Sequence, residues 1–308
     1  GDNPQELWLG SRAKKLLTAL EQFGKHSSLE LQRFLRPQEV LIAKLDHDQL
    51  LHQDRLLIGQ KLAEFGDTRP GVGLSPDGLP DIVWIEIPGG QVKLEDIDHV
   101  FEVNPFRIAK YPVTNAQFEA FLNLEGGYRN KEWWRDIEQR NWAEPPRWPE
   151  ANAPREMVSW FETVAFCRWL SAKTRTSIRL PTEWEWQQAV TGGDLTHKYP
   201  WIGRWDAARC NSDESRLGRT TAVGVYPQGA TEQGAMDMAG NVWEWCLNTY
   251  EQPEAAEAQG IYRSNTRRMV RGGSWYSKPG ALHISARYMP MPAGRDNGVG
   301  FRLAQDIP

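Results

Sequence analysis

Cysteine is scarce in this 308-residue chain, which holds only Cys167, Cys210 and Cys246. An odd, sparse set cannot build a disulfide framework, and it suits a reducing compartment, so a cytoplasmic location is expected. A strong excess of one charge is also lacking. The formal net charge of -4 gives no general attraction to nucleic acid or anionic lipid. No apolar run approaches the roughly 20 residues needed to span a bilayer. No N-terminal stretch carries the basic, apolar and small-residue zones of a signal peptide. Neither a membrane nor a nucleic-acid partner is therefore expected. The opening Gly1-Asp2 leaves room for a longer parent protein.

What is abundant is tryptophan. The chain has fifteen, crowded between Trp133 and Trp275. Each brings a large apolar body and one N–H that needs a partner. Core filling by large rings is the expectation for most of them.

The first 65 residues read as helical. Leu16, Leu17, Leu20 and Phe23 fall at helical spacing, as do Val40, Leu41 and Leu45, and then Leu50, Leu51, Leu57, Ile58, Leu62 and Phe65. A breaker-rich stretch over 67–81 follows, so the reading is a helical segment over 1–66, a linker, and a main domain over 82–308. Ile82 to Ile87 reads as a strand ended by Pro88-Gly89-Gly90, and Phe106 to Ala109 as another. Thr114 with Gln117, Ser159 with Glu162, and Thr182 with Glu185 each have the spacing of a capping box at a helix start. The helix from Trp160 to about Lys173 is the clearest. Beyond residue 190 the chain is irregular and rich in Gly, Pro, Asn and Asp.

Four motifs stand in fixed order: Ile87-Pro88-Gly89-Gly90; Arg179-Leu180-Pro181-Thr182-Glu183-Trp184-Glu185-Trp186; Gly240-Asn241-Val242-Trp243-Glu244-Trp245; and Arg271-Gly272-Gly273-Ser274-Trp275 leading to Gly300-Phe301-Arg302-Leu303. Together they resemble the formylglycine-generating enzyme and sulfatase-modifying factor family over about residues 82–304. The resemblance implies an α+β domain of C-type-lectin-like fold with little regular secondary structure. It further implies bound Ca²⁺ held by Asn241, Glu244 and nearby carbonyls such as that of Val242. Calcium takes six to eight oxygen ligands in flexible geometry, which a Gly-Asn loop can supply.

Enzymes of this family oxidise a substrate cysteine with a cysteine pair that holds copper, and soft thiolates suit Cu(I). By spacing, those positions fall here on Ser277 and Leu282. A second enzymatic branch forms carbon–sulfur bonds with iron held by histidines of a helical bundle. His47 and His52 are the close pair here, but five residues apart on a helix they project some 140° from each other, at about 100° per residue. The expectation is thus a non-catalytic ligand-binding protein without copper or iron. An oxidoreductase of the same superfamily with an unrecognised metal site is the alternative.

The segment between Trp275 and Gly300 is irregular and pinned by Pro279, Pro290 and Pro292. It places Trp275, Tyr276, Ser277, Lys278, His283, Ile284, Tyr288, Met289, Met291, Asp296 and Asn297 in one loop-rich stretch, and these are the expected ligand-binding residues. The partner would be a protein or a small molecule. The same segment resembles the hypervariable part of the variable proteins of diversity-generating retroelements, which share the lectin-like domain.

Overall fold

The computed structural model describes residues 37–47, 49–95, 97–138, 142–192, 194, 196–251 and 266–307. The helical spacing of Leu16 to Phe23 lies outside the described residues.

Among the described residues two helices precede the main domain, α1 (Pro37–Lys44) and α2 (His52–Phe65). The apolar spacing there sorts faces. Ile58 and Leu62 of α2 are buried against Ala222, Val225 and Tyr226, while Leu51, Leu57 and Phe65 are exposed. Arg55 fastens this helix to the main domain, donating to the carbonyls of Leu45 and Val225 at 3.1 and 2.6 Å.

The main domain has two four-stranded sheets and a hairpin. The first sheet takes β1 (Trp84–Ile87), β4 (Phe106–Ala109), β10 (Ala304–Asp306) and β5 (Ile178–Arg179) in the order β1-β4-β10-β5. Its three pairings are antiparallel, with Ile108 facing Ile85 on one side and Ala304 on the other. The hairpin is β2 (Gly90–Lys93) with β3 (Val100–Val103). The second sheet takes β8 (Arg287–Tyr288), β7 (Arg268–Arg271), β6 (Trp243–Thr249) and β9 (Val299–Phe301) in the order β8-β7-β6-β9, with β9 parallel to β6. β9 and β10, on either side of Arg302, lie one in each sheet, which locks the Gly300-Phe301-Arg302-Leu303 motif into the core.

Three helices pack on this framework: α3 (Asn115–Asn123), α4 (Trp160–Thr174) and α5 (Glu183–Thr191). Each begins at the expected capping box, with the Thr114, Ser159 or Thr182 side chain accepting from the backbone three residues on and the Gln117, Glu162 or Glu185 side chain reaching back. That exchange satisfies two orphan N–H groups at once. The core between α4 and the second sheet is largely aromatic. Trp160, Trp169, Trp186 and Trp245 are fully buried, and Phe118, Phe121, Phe166 and Phe301 touch edge to face or stacked. The indole N–H groups of Trp160 and Trp245 donate to the carbonyls of Cys246 and Val158.

Among the described residues, no helix is long and apolar enough to cross a membrane.

Candidate functional site

The Gly240-Asn241 motif forms a tight crossing. Gly240 has φ 80° and Asn241 φ 66°, and a Cβ on Gly240 would come within 2.2 Å of the Asn211 carbonyl oxygen. The Asn241 side chain is spent on this crossing: its Oδ1 accepts from the Thr221 N–H at 2.9 Å and from the Asn211 amide at 3.2 Å. Glu244, on β6, is equally committed. Arg302 donates from Nε to Oε2 and from Nη2 to Oε1, both at 2.7 Å, and the Trp186 indole donates to Oε2 at 2.8 Å. Val242 is fully buried. The expectation of Ca²⁺ at Asn241, Val242 and Glu244 is therefore corrected. The side-chain oxygens of Asn241 and Glu244 that would bind the ion already hold hydrogen bonds that fasten the core.

The cysteine positions tell a similar story. Ser277 is buried, its hydroxyl accepting from the Ser274 N–H at 2.9 Å. Leu282 is buried beside Tyr199, Trp201, Cys210 and Ala239. The three cysteines are all buried, and burial raises each thiol well above its ordinary range, so they remain protonated and unreactive. A copper-binding thiolate pair is not built at these positions. Among the described residues no group of three His, Cys, Asp or Glu side chains stands ready to hold a metal ion. The Nδ1 of His52 sits 2.9 Å from the Tyr226 hydroxyl, which occupies that ring nitrogen.

The 275–297 segment divides into two groups. Trp275 packs edge-on against Trp148 at 5.3 Å and donates to the Asn297 carbonyl at 3.2 Å. Beside it the Tyr276 hydroxyl donates to Asp296 Oδ1 at 3.0 Å. Tyr288 tilts over Trp243 at 5.8 Å and lies close enough to Tyr276 to raise its pKa, after burial and Asp296. Tyr276, Tyr288 and Met291 are exposed, and Lys278 is too. Other members do not face outward. Ser277 is buried, and Met289 packs on the second core cluster with Ile87, Trp186 and Met269. As free ligand contacts these two are corrected.

His283 and Ile284 belong to the second group, a cleft of about 570 Å³. Its walls come from the end of β2, from α5, from 197–198 and from 283–285, with Lys93, Gln187, His197, Lys198 and Ser285 among the lining residues. The Ile284 N–H donates to the Lys198 carbonyl at 3.0 Å, which joins two of the walls. His283 Nε2 lies 3.0 Å from the Tyr199 hydroxyl, and its ring meets Tyr199 edge-on at 5.1 Å. Beneath the floor, Arg271 donates to Glu183, to Gln187 Oε1 and to the Ile284 carbonyl, and Arg287 donates twice to Glu183 at 2.7 and 2.9 Å.

Sequence reasoning missed Lys93, Gln187, His197 and Lys198, because the cleft unites segments up to 190 residues apart. The available signal was Gln187, which directly follows the Arg179–Trp186 motif on α5. It also missed Glu156. That side chain is fully buried, accepts from the N–H groups of Arg147 and Trp148, and is pushed up to a pKa of about 7, first by burial.

The model of the sulfatase-modifying factor enzyme 1-like domain matches residues 76–307. The chain belongs to this family. Several relatives carry enzyme names. The hercynine oxygenase of Mycolicibacterium thermoresistibile is 32% identical, with 85% of this chain and 66% of that protein covered. The formylglycine-generating enzyme of Streptomyces coelicolor is 26% identical, covering 72% of this chain and 88% of the relative. The chain spans 66%, 64% and 54% of the lengths of three hercynine oxygenases that it matches. Among solved structures, PvdO from Pseudomonas aeruginosa superposes with a TM-score of 0.58 at 21% identity, over 78% of this chain and all of that one. Treponema denticola variable protein 1 does so with 0.56 at 21% identity, over 73% and 95%. These two show the shared fold alone, and the α+β, C-type-lectin-like expectation stands.

The expectation of a non-enzyme is corrected by these relatives, which are named as an oxygenase and a formylglycine-generating enzyme. The expectation rested on the missing thiols at Ser277 and Leu282 and on the spacing of His47 and His52, which bear on two particular metal sites and not on every chemistry of the family. The expectation that neither copper nor iron takes part falls with it.

Proposed function

We propose that this chain supplies the lectin-like domain of an oxygen-dependent oxidoreductase acting on a small molecule, with the substrate seated in the cleft between α5 and the 283–285 segment. The observation that carries this reading is the 32% identity to a hercynine oxygenase across 85% of the chain. A cleft of about 570 Å³ has the size expected for a small-molecule site. The described residues assemble no ligand set for copper or iron, so no step is derived through a metal. What this chain's own residues can do is seat and orient: Gln187, Lys93 and Lys198, which carry donors, line one volume together with His283.

The test is substrate-dependent oxygen uptake. The purified chain is incubated with ferrous or cuprous ion, hercynine and a thiol in an oxygen electrode. Uptake above the metal-only and substrate-only blanks is expected. Rates equal to the blanks with either ion would overturn the reading.

A further inference from the structure

The chemistry of the cleft walls is one-sided. Gln187 is nearly buried, and its Oε1 is taken by Arg271, so the group it can offer the cleft is the Nε2 donor. The Ile284 carbonyl, an acceptor that would otherwise face the same volume, is also consumed by Arg271. Lys93 and Lys198 add two ammonium groups at the rim, both on exposed residues. Below the floor, two guanidinium groups, Arg271 and Arg287, share the single carboxylate of Glu183. By formal charge the two guanidinium groups and the one carboxylate leave one positive charge, with Arg271 and Glu183 buried and Arg287 partly so, and the field of buried charge is weakly screened by salt.

The opposing charges are placed to matter less. Among the described residues Glu95 is the one acidic residue in the lining, and it is exposed. Asp98 faces Lys93 at 3.6 Å with its side chain fully in water, and Asp194 faces His197 at 3.6 Å about half exposed. Exposed pairs of this length are worth little, because water competes for both partners. The cleft therefore presents converging donors over a positive floor, which is the arrangement that recognises an oxyanion.

We infer that the cleft walled by Lys93, Gln187, Lys198 and the 283–285 segment is an oxyanion-binding site, taking the carboxylate or phosphate group of a small ligand. In this arrangement Gln187 Nε2 and the two lysines donate to the oxyanion oxygens, and Arg271 acts from below by fixing the Gln187 amide. The inference rests on the proposed function only in identifying this ligand with the substrate.

The experiment uses NMR on the intact chain, following the side-chain signals of His197 and His283 and the backbone amide of Ile284. Succinate and inorganic phosphate are the probes, with putrescine as a cationic control and sodium chloride matching the ionic strength. Succinate, phosphate or both should shift all three signals saturably, and putrescine should not. Whichever saturates at lower concentration identifies the carboxylate or the phosphate as the group preferred. Lys93→Glu and Lys198→Glu, at exposed positions that leave the core intact, should each weaken binding about tenfold or more. Absence of saturable shifts with both anions, or equal affinity in both variants, would overturn the inference. Oxygen uptake without anion binding would remove this inference alone, and anion binding without oxygen uptake would remove the proposed function alone.

Discussion

Glu244 and Arg302 meet in the core as a two-bond ion pair, Nε to Oε2 and Nη2 to Oε1, each 2.7 Å, with both side chains wholly excluded from solvent. Arg302 spends its remaining donors on the carbonyls of Ala109, Lys110 and Met236, at 2.9, 3.3 and 2.7 Å. The pair thereby ties β6 to β4 and to the loop before Gly240. Two family motifs distant in sequence are thus halves of one structural device.

Breaking that pair from one side leaves a buried charge without its partner, which costs about 3–5 kcal/mol. Glu244→Gln is expected to fall near the lower end, because the amide oxygen can still accept from Arg302. Arg302→Met is expected near the upper end, since it takes the ionic partner from Glu244 and a donor from three carbonyls. Urea denaturation checks both. A loss below about 1 kcal/mol in Arg302→Met would contradict the assignment.

Stability should fall as pH rises from about 5 to 8. Glu156 is pushed up to about 7 and Asp237 to about 6, in both cases chiefly by burial, from ordinary values of 4.5 and 3.8. A folded-state carboxyl pKa above the unfolded one means the folded protein holds the extra proton. That stabilisation is complete below the unfolded pKa and is lost as pH passes the folded pKa. For Glu156 the loss is roughly 3 kcal/mol at most, at 1.36 kcal/mol per pKa unit. Glu156→Gln keeps a neutral acceptor for the Arg147 and Trp148 N–H groups and should flatten the slope. Denaturation midpoints across this range decide it, and identical slopes in the two proteins would refute the role given to Glu156.

Gly240→Ala should be among the most damaging small substitutions in the chain. The added methyl would meet the backbone oxygen of Asn211 at 2.2 Å, at a residue with φ 80°. Both the clash and the left-handed backbone act against it, so a loss of about 2 kcal/mol or more is expected. Gly280→Ala is the control, with open space around it, and should change the melting temperature little.

Thr182→Ala should remove about 1 kcal/mol through the cap of α5. Its hydroxyl accepts from the Glu185 N–H at 3.2 Å, and Glu185 also pairs with Arg179 at 2.6 Å. Because α5 carries Gln187, the same variant should weaken anion binding in the cleft, whereas Thr114→Ala, at the cap of α3, should cost stability alone.

The fold was largely legible because its signals are local. The capping boxes at Thr114, Ser159 and Thr182 announce three helices, and the glycines at 240 and 272–273 mark turns where positive φ is needed. The site was less so. The roles of Glu244 and Asn241 depend on which atoms compete for their oxygens, and Arg302, Trp186 and Thr221 reach them only through tertiary contact. The cleft is harder still, since Lys93, Gln187, Lys198 and His283 lie on four separate segments with no common period. A Tyr, Met and His-rich loop also does not reveal which side chains turn inward. Met289 packs on the core while Tyr288 beside it is exposed.

The measurement that bears most directly on the oxidoreductase reading is mass-resolved product analysis after incubation of the chain with hercynine, a thiol, ferrous ion and ¹⁸O₂. The account predicts a new substrate-derived product that forms only with protein and dioxygen together and diminishes in the Lys93→Glu and Lys198→Glu variants. Recovery of hercynine unchanged in the complete mixture, with the same result when cuprous ion replaces ferrous, would contradict it.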